Sequence, residues 1–205
     1  MAVSNDGHKY DLLTVGGSNG GMDAFIQILS GLGTDFRMPI VFVLHQQRSV
    51  QTLLPDILAR HTHLIVNEPV DKEKIESGHI YVAPPDYHLL IEPDETFGYS
   101  YSEPLNFSRP SIDILFETVA EAYGNRVAGL LLTGANKDGT AGLLSIQKRG
   151  GLAIVQNPDT ARSPEMPQAA IDSGCNENII DLDKIAGFLN ELNQNYLSKY
   201  LKTNE

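Results

Sequence analysis

Apolar residues along the 205-residue chain fall into short blocks separated by glycine-bearing loops and amphipathic stretches. Leu12 to Val15, 39–44 (Pro-Ile-Val-Phe-Val-Leu), Val127 to Leu132 and 151–156 are nearly continuous apolar runs. Such runs, rich in β-branched residues, predict strands covered on both faces of a parallel sheet. Residues 63–66 and 78–83 read as further strands, with His61 and His63 alternating on the first. Tyr87 to Ile91 and Phe97 to Tyr101 flank a turn at 93–96 and predict an antiparallel hairpin. Helical periodicity runs over 21–32, 50–60, 112–122, 140–149 and 166–173. Pro55 should mark a kink or a later start in the second of these. A terminal amphipathic helix carries Ile185, Phe188, Leu189, Leu192 and Leu197, and its end from Lys202 should fray. Strands alternate with helices nearly throughout. The expectation is a doubly wound, mostly parallel α/β sheet with helices on both faces and an antiparallel hairpin, a three-layer α/β/α domain.

The first strand runs into Gly16-Gly17-Ser18-Asn19-Gly20-Gly21 and then a helix. A strand-to-helix turn of this kind needs residues that tolerate positive φ and close backbone approach. Two chemistries use it. One binds phosphate on the helix N-terminus; the other raises a serine on a sharp turn beside an oxyanion site. The spacing is not Gly-x-x-x-x-Gly-Lys-Ser/Thr, and residue 18 breaks Gly-x-Gly-x-x-Gly. Residues 16–20 do fit Gly-x-Ser-x-Gly, although a purely structural turn explains the glycines as well.

Charge narrows the partners. The formal net charge is −11, which repels phosphate backbones and argues against nucleic acid or an anionic membrane surface. No apolar run approaches the ~18 residues of a membrane span, and no signal peptide is visible at the N-terminus. Cys175 is the only cysteine, so no intrachain disulfide forms and a reducing, cytoplasmic setting fits. His61 and His63, and His79 and His88, match no strong zinc spacing, and no metal or other cofactor is expected.

Ligands of doubly wound sheets bind beyond the carboxyl ends of strands. Three such ends carry chemistry: Ser18 after the first strand, His45 after the second, and Asp138 in the loop after residues 127–132. Serine, imidazole and carboxylate are the parts of a nucleophilic triad, in which His45 would take the Ser18 proton and Asp138 would hold the imidazole. Each residue also has an ordinary explanation. A histidine after a strand is commonly a hydrogen-bonded loop residue, and an aspartate before glycine at a helix start is commonly turn or cap chemistry.

Residues 15–21, Val43-Leu-His45, 78–86 (Gly-His-Ile-Tyr-Val-Ala-Pro-Pro-Asp), Arg109-Pro-Ser-Ile-Asp113 and Leu132-Thr-Gly-Ala-Asn-Lys-Asp-Gly139 occur in this order. Together with Gln156-Asn157 and Met166-Pro167 they make the chain resemble the catalytic domain of the chemotaxis protein-glutamate methylesterase (CheB) family, from about Asp11 to Ile185. The resemblance implies hydrolysis of glutamyl methyl esters on the cytoplasmic helices of methylated chemoreceptors, with deamidation of receptor glutamines in some members. It implies a triad of Ser18, His45 and Asp138 and oxyanion donors at the backbone N–H groups of Asn19 and Ala135. Arg109 and Arg48 are candidates for contact with the substrate.

The chain departs from the family pattern at Asn19 (typically threonine), Ala135 (typically methionine) and Gln46-Gln47 (typically Met-Pro). Those departures leave room for a silent or re-purposed binding module that docks on a receptor or signalling partner. Residues 1–10 are expected to be a disordered leader and 11–200 a single catalytic domain. The receiver domain of many members is not expected within these residues: the chain is either excised from a receiver-containing protein or a stand-alone member, for which a receiver domain or another regulator in trans is the candidate partner.

Overall fold

The computed structural model describes residues 10–45, 53–105 and 108–203. Seven strands form one parallel sheet in the order β3-β4-β2-β1-β7-β8-β9. They are β1 (Leu12–Gly17), β2 (Ile40–Leu44), β3 (Ile65–Asn67), β4 (His79–Val82), β7 (Val127–Leu131), β8 (Leu152–Gln156) and β9 (Ile179–Ile180). β5 (His88–Ile91) and β6 (Phe97–Ser100) pair antiparallel as the expected hairpin. The helices are α1 (Gly21–Ser30), α2 (Leu54–Ala59), α3 (Ile112–Tyr123), α4 (Thr140–Lys148), α5 (Glu165–Asp172) and α6 (Leu182–Thr203).

The apolar runs are continuous because both faces of each central strand are covered. In β2, Ile40, Phe42 and Leu44 point into one core, and Val41 and Val43 into the other. β7 divides in the same way, with Leu130 on one side and Val127 and Leu131 on the other. The first core is closed by Ala24, Phe25, Ile28 and Leu29 of α1 and by Ile185, Leu189, Leu192 and Tyr196 of α6. The second is closed by Ile112, Leu115, Phe116 and Val119 of α3, by Leu143 of α4 and by Leu89, Ile91 and Phe97 of the hairpin.

Three details differ from the sequence expectation, while the start of α2 is the later start that Pro55 predicts. His61 and His63 precede β3 instead of lying on it, because the chain turns there. Leu64 N–H donates to Thr62 Oγ1, and His63 Nε2 lies 3.2 Å from the Phe36 carbonyl. α2 starts at Leu54 with Pro55 in its first turn, the position where a missing N–H costs nothing. Tyr196 joins the core, whereas Phe188 and Leu197 are only partly buried. α6 continues to Thr203, past the expected fraying point. Among the described residues no helix is long and apolar enough to cross a membrane.

β1 lies at the centre of the sheet. Its helix α1 leads to β2 on one side, while β7 on its other side leads through α4 to β8. The order therefore reverses between β1 and β7, and their carboxyl ends open the crevice where such sheets bind ligands.

Candidate active site

The ends of β1, β2 and β7 are tied together by backbone hydrogen bonds. Ser18 N–H donates to the Thr133 carbonyl at 3.0 Å, and His45 N–H donates to the Gly17 carbonyl at 3.2 Å. The turn after Ser18 closes when Gly21 N–H donates to the Ser18 carbonyl at 2.8 Å. Gly20 at φ 81° forms the entry to α1, a conformation costly for a residue with a Cβ. Gly134 permits the loop after β7 to press against Ser18. A Cβ there would stand 3.0 Å from Ser18 Cβ and 2.5 Å from Met166 Cε.

His45 Nε2 lies 2.8 Å from Asp138 Oδ2. The ionised carboxylate only accepts, so Nε2 carries the proton and Nδ1 is left as the basic nitrogen. Nδ1 faces Ser108 Oγ at 3.3 Å and Asn136 Nδ2 at 3.5 Å. Ser18 is half-buried beside this group. Among the described residues no hydrogen bond joins its hydroxyl to His45.

Asp138 is fully buried. Its Oδ1 accepts from Ser111 Oγ at 2.9 Å and from Asp113 N–H at 3.2 Å; its Oδ2 also accepts from Ile112 N–H at 2.8 Å. The cap contacts that are the ordinary explanation of such an aspartate are thus made to the N-terminus of α3 and not to its own helix α4, which starts at Thr140 after the N-cap Gly139 and has no side-chain cap. Burial alone would raise the Asp138 pKa. The His45 bond and the amides of Ile112 and Asp113 outweigh it, and the pKa lies below the ordinary carboxylate value.

Asp113 is the second buried carboxyl. Desolvation, followed by the nearby Asp138 charge, pushes its pKa from 3.8 up to about 6, against the opposing bond from Gly142 N–H. Between those two pH values the native state holds more protons than the unfolded chain, so stability falls as pH rises from about 4 to about 6. Asp113→Asn keeps an oxygen for Gly142 N–H and removes the charge. The variant is expected to be more stable than the parent by on the order of 1–2 kcal/mol at pH 7–8, after a loss of ~0.5 kcal/mol of helix-dipole interaction. The advantage should vanish below pH 4, as read from thermal melts across pH.

Asn19 and Ala135 are exposed residues, and the backbone N–H of neither donates to a backbone acceptor among the described residues. The Asn19 side chain turns away and donates to Ser163 Oγ at 2.8 Å, while its carbonyl accepts from Thr133 Oγ1. Arg109 is held by the loop before it, its Nη1 donating to the carbonyls of Tyr101 and Ser102 at 3.3 and 3.1 Å. Arg48, Gln46 and Gln47 lie outside the described residues. No cluster of three metal-ligating side chains occurs among those described. Ser108, Asn136 and the donor role of Ser111 were not legible beforehand. Ser111 reads as an N-cap, which it is through Ile114 N–H, but its proton going to Asp138 has no sequence signal.

The model of the CheB methylesterase family matches residues 13–189. The chain belongs to the CheB methylesterase family. A Leptospira interrogans protein, provisionally named a protein-glutamate methylesterase/protein-glutamine glutaminase, is 45% identical over 191 residues, covering 93% of this chain and 99% of the relative. The protein-glutamate methylesterase/protein-glutamine glutaminase of Trichodesmium erythraeum is 33% identical over 181 residues. That alignment takes in 87% of this chain and 51% of the relative, so the chain spans about half the length of that protein. The crystal structure of the Thermotoga maritima CheB methylesterase catalytic domain superposes with a TM-score of 0.85 at 30% identity, over 90% of this chain and 99% of that one. The CheB fold of this chain, a parallel sheet plus a hairpin, agrees with the architecture expected from its sequence.

Proposed function

We propose that the chain is a serine carboxylic-ester hydrolase that removes methyl esters from glutamyl side chains on the cytoplasmic helices of chemoreceptors. Ser18 Oγ attacks the ester carbonyl while His45 Nδ1 takes its proton. The proton passes to the departing methoxide, and methanol leaves an acyl-serine. His45 then takes a proton from water, the resulting hydroxide adds to the acyl carbonyl, and His45 returns the proton to Ser18 Oγ as that bond breaks and the glutamate acid is released, ionising to the carboxylate in solvent. The N–H groups of Asn19 and Ala135 hold the oxyanion, each such donor being worth ~10²–10³ in rate. A glutamine side chain would pass through the same steps with ammonia leaving. Every step uses side chains and backbone of this chain.

The observation that carries this reading is the His45–Asp138 hydrogen bond, which fixes the imidazole with Nδ1 as its basic nitrogen, held only by the longer contacts to Ser108 and Asn136, at the strand ends that also present Ser18. The Ser18–His45 bond forms when substrate orders the site, since catalytic hydrogen bonds of free enzymes are often long or unmade. The cytoplasm is the compartment proposed, and a receiver domain or other regulator in trans is the proposed control.

The test is methanol release from a methylated chemoreceptor cytoplasmic fragment, together with labelling by a serine-directed phosphonate. Methanol release with label on Ser18 supports the reading. Labelling without methanol would mean a different ester. Neither, with the fold intact, would overturn it in favour of a docking module.

A further inference from the structure

His88 opens β5 and is fully buried, yet no step above uses it. Its two ring nitrogens have unlike partners. Ser111 N–H donates to Nδ1 at 3.2 Å, and Nε2 lies 3.2 Å from the Glu103 carbonyl. An amide N–H only donates and a carbonyl only accepts, so one tautomer satisfies both: Nδ1 bare, Nε2 protonated. Ser111 in turn gives its hydroxyl proton to Asp138 Oδ1 at 2.9 Å. A continuous path of hydrogen bonds, buried at its centre, therefore runs from the Glu103 carbonyl through His88, Ser111 and Asp138 to His45 Nε2. The charged groups facing His88 are Arg109 and Asp138. Burial, followed by Arg109, keeps its pKa below the ordinary imidazole value, against the Glu103 and Ser102 carbonyls and the Asp138 charge.

We propose that His88 is a positioning residue, whose bare Nδ1 anchors Ser111 so that the Ser111 hydroxyl holds Asp138 in line with His45. The kinetic consequence rests on the proposed ester hydrolysis; the geometric one does not. Four donors hold the buried carboxylate, and among these four Ser111 is the one held by a side chain from the hairpin.

Two variants separate positioning from plain structural support. In His88→Asn, Oδ1 falls near the place of Nδ1 and still accepts from Ser111 N–H, while the Glu103 carbonyl loses its donor. In His88→Gln, a side-chain amide reaches the Glu103 carbonyl, while Ser111 N–H loses its acceptor. His88→Gln leaves the buried Ser111 N–H unpaired, whereas His88→Asn frees a carbonyl on the exposed residue Glu103, so His88→Gln should melt somewhat lower and kcat is read against melting temperature in both. The expected result is a kcat for methanol release at least ~10-fold higher in His88→Asn than in His88→Gln, with KM little changed in both. Equal kcat values, or kcat that merely follows melting temperature, would overturn the proposal. The second readout is ¹⁵N NMR of the imidazoles. His88 itself should show a bare Nδ1 and a protonated Nε2, and His88→Gln should move the His45 ring resonances where His88→Asn leaves them. Should the wild type release no methanol, the proposed function falls and the NMR comparison alone decides this inference, identical His45 spectra in the two variants sinking it.

Discussion

Asp138→Asn is expected to slow ester hydrolysis by ~10³–10⁴ and to destabilise the fold by roughly 2–3 kcal/mol in the same variant. Both losses come from one mismatch. Four partners of the carboxylate are donors: His45 Nε2–H, Ser111 Oγ–H and the N–H groups of Ile112 and Asp113. An asparagine keeps one acceptor oxygen and sets an N–H₂ group against two of them. If the amide nitrogen takes the Oδ2 position, it faces His45 and Ile112 N–H together. His45 can answer by moving its proton to Nδ1, which removes the base. The Ile112 amide cannot answer, and a buried donor is left without an acceptor. The rate loss should appear in kcat for methanol release, and the stability loss in urea denaturation at pH 7. The depressed Asp138 pKa sets the pH window. Its stabilisation is present above the ordinary carboxylate pKa and is lost as pH falls through the lower folded value. The stability gap between parent and variant should therefore narrow in acid.

This double duty explains which parts of the site were legible in the sequence. Ser18, His45 and Asp138 stood out because each follows an apolar run, and a parallel sheet gathers strand ends onto one edge. Backbone patterning therefore predicted their proximity without any knowledge of side chains. The same logic placed both cores, since continuous runs such as residues 39–44 are what a strand buried on two faces requires. The supporting contacts were hidden for a different reason. His88, Ser108 and Ser111 reach the site from the hairpin and the start of α3, which lie outside the β1–β2–β7 edge. The hairpin joins α3 in one core that holds Leu89, Ile91, Phe97, Leu115 and Val119, a tertiary fit that no periodicity encodes. The cap chemistry weighed as the ordinary explanation of Asp138 is found on α3 and not on the helix it precedes, because sequence neighbours are the only partners a linear reading can weigh. The strand expected around His61 and His63 failed for a local reason, the Thr62 side chain bonding Leu64 N–H and turning the chain before β3.

Ser18→Ala is expected to show the opposite balance: turnover lowered by on the order of 10⁵–10⁶ with no measurable loss of stability. The Ser18 hydroxyl has no hydrogen-bond partner among the described residues, and its backbone bonds to Thr133 and Gly21 survive the change. Cβ, the atom packed toward Gly134, also remains. Methanol release should fall to background and phosphonate labelling should disappear, while the urea midpoint stays within error of the parent. Retained turnover would remove Ser18 from the mechanism. A lower midpoint would show that the hydroxyl holds the turn together. Combining the two substitutions tests whether serine and carboxylate act as one unit. Once Ser18 is gone, a correctly held imidazole has no hydroxyl to deprotonate, so Asp138→Asn should cost nothing further in rate. The stability effects arise from separate contacts and should add. The double variant is then as slow as Ser18→Ala alone and as unstable as Asp138→Asn alone. Any further loss of rate on adding Asp138→Asn would mean that the carboxylate also supports residual catalysis that does not pass through Ser18.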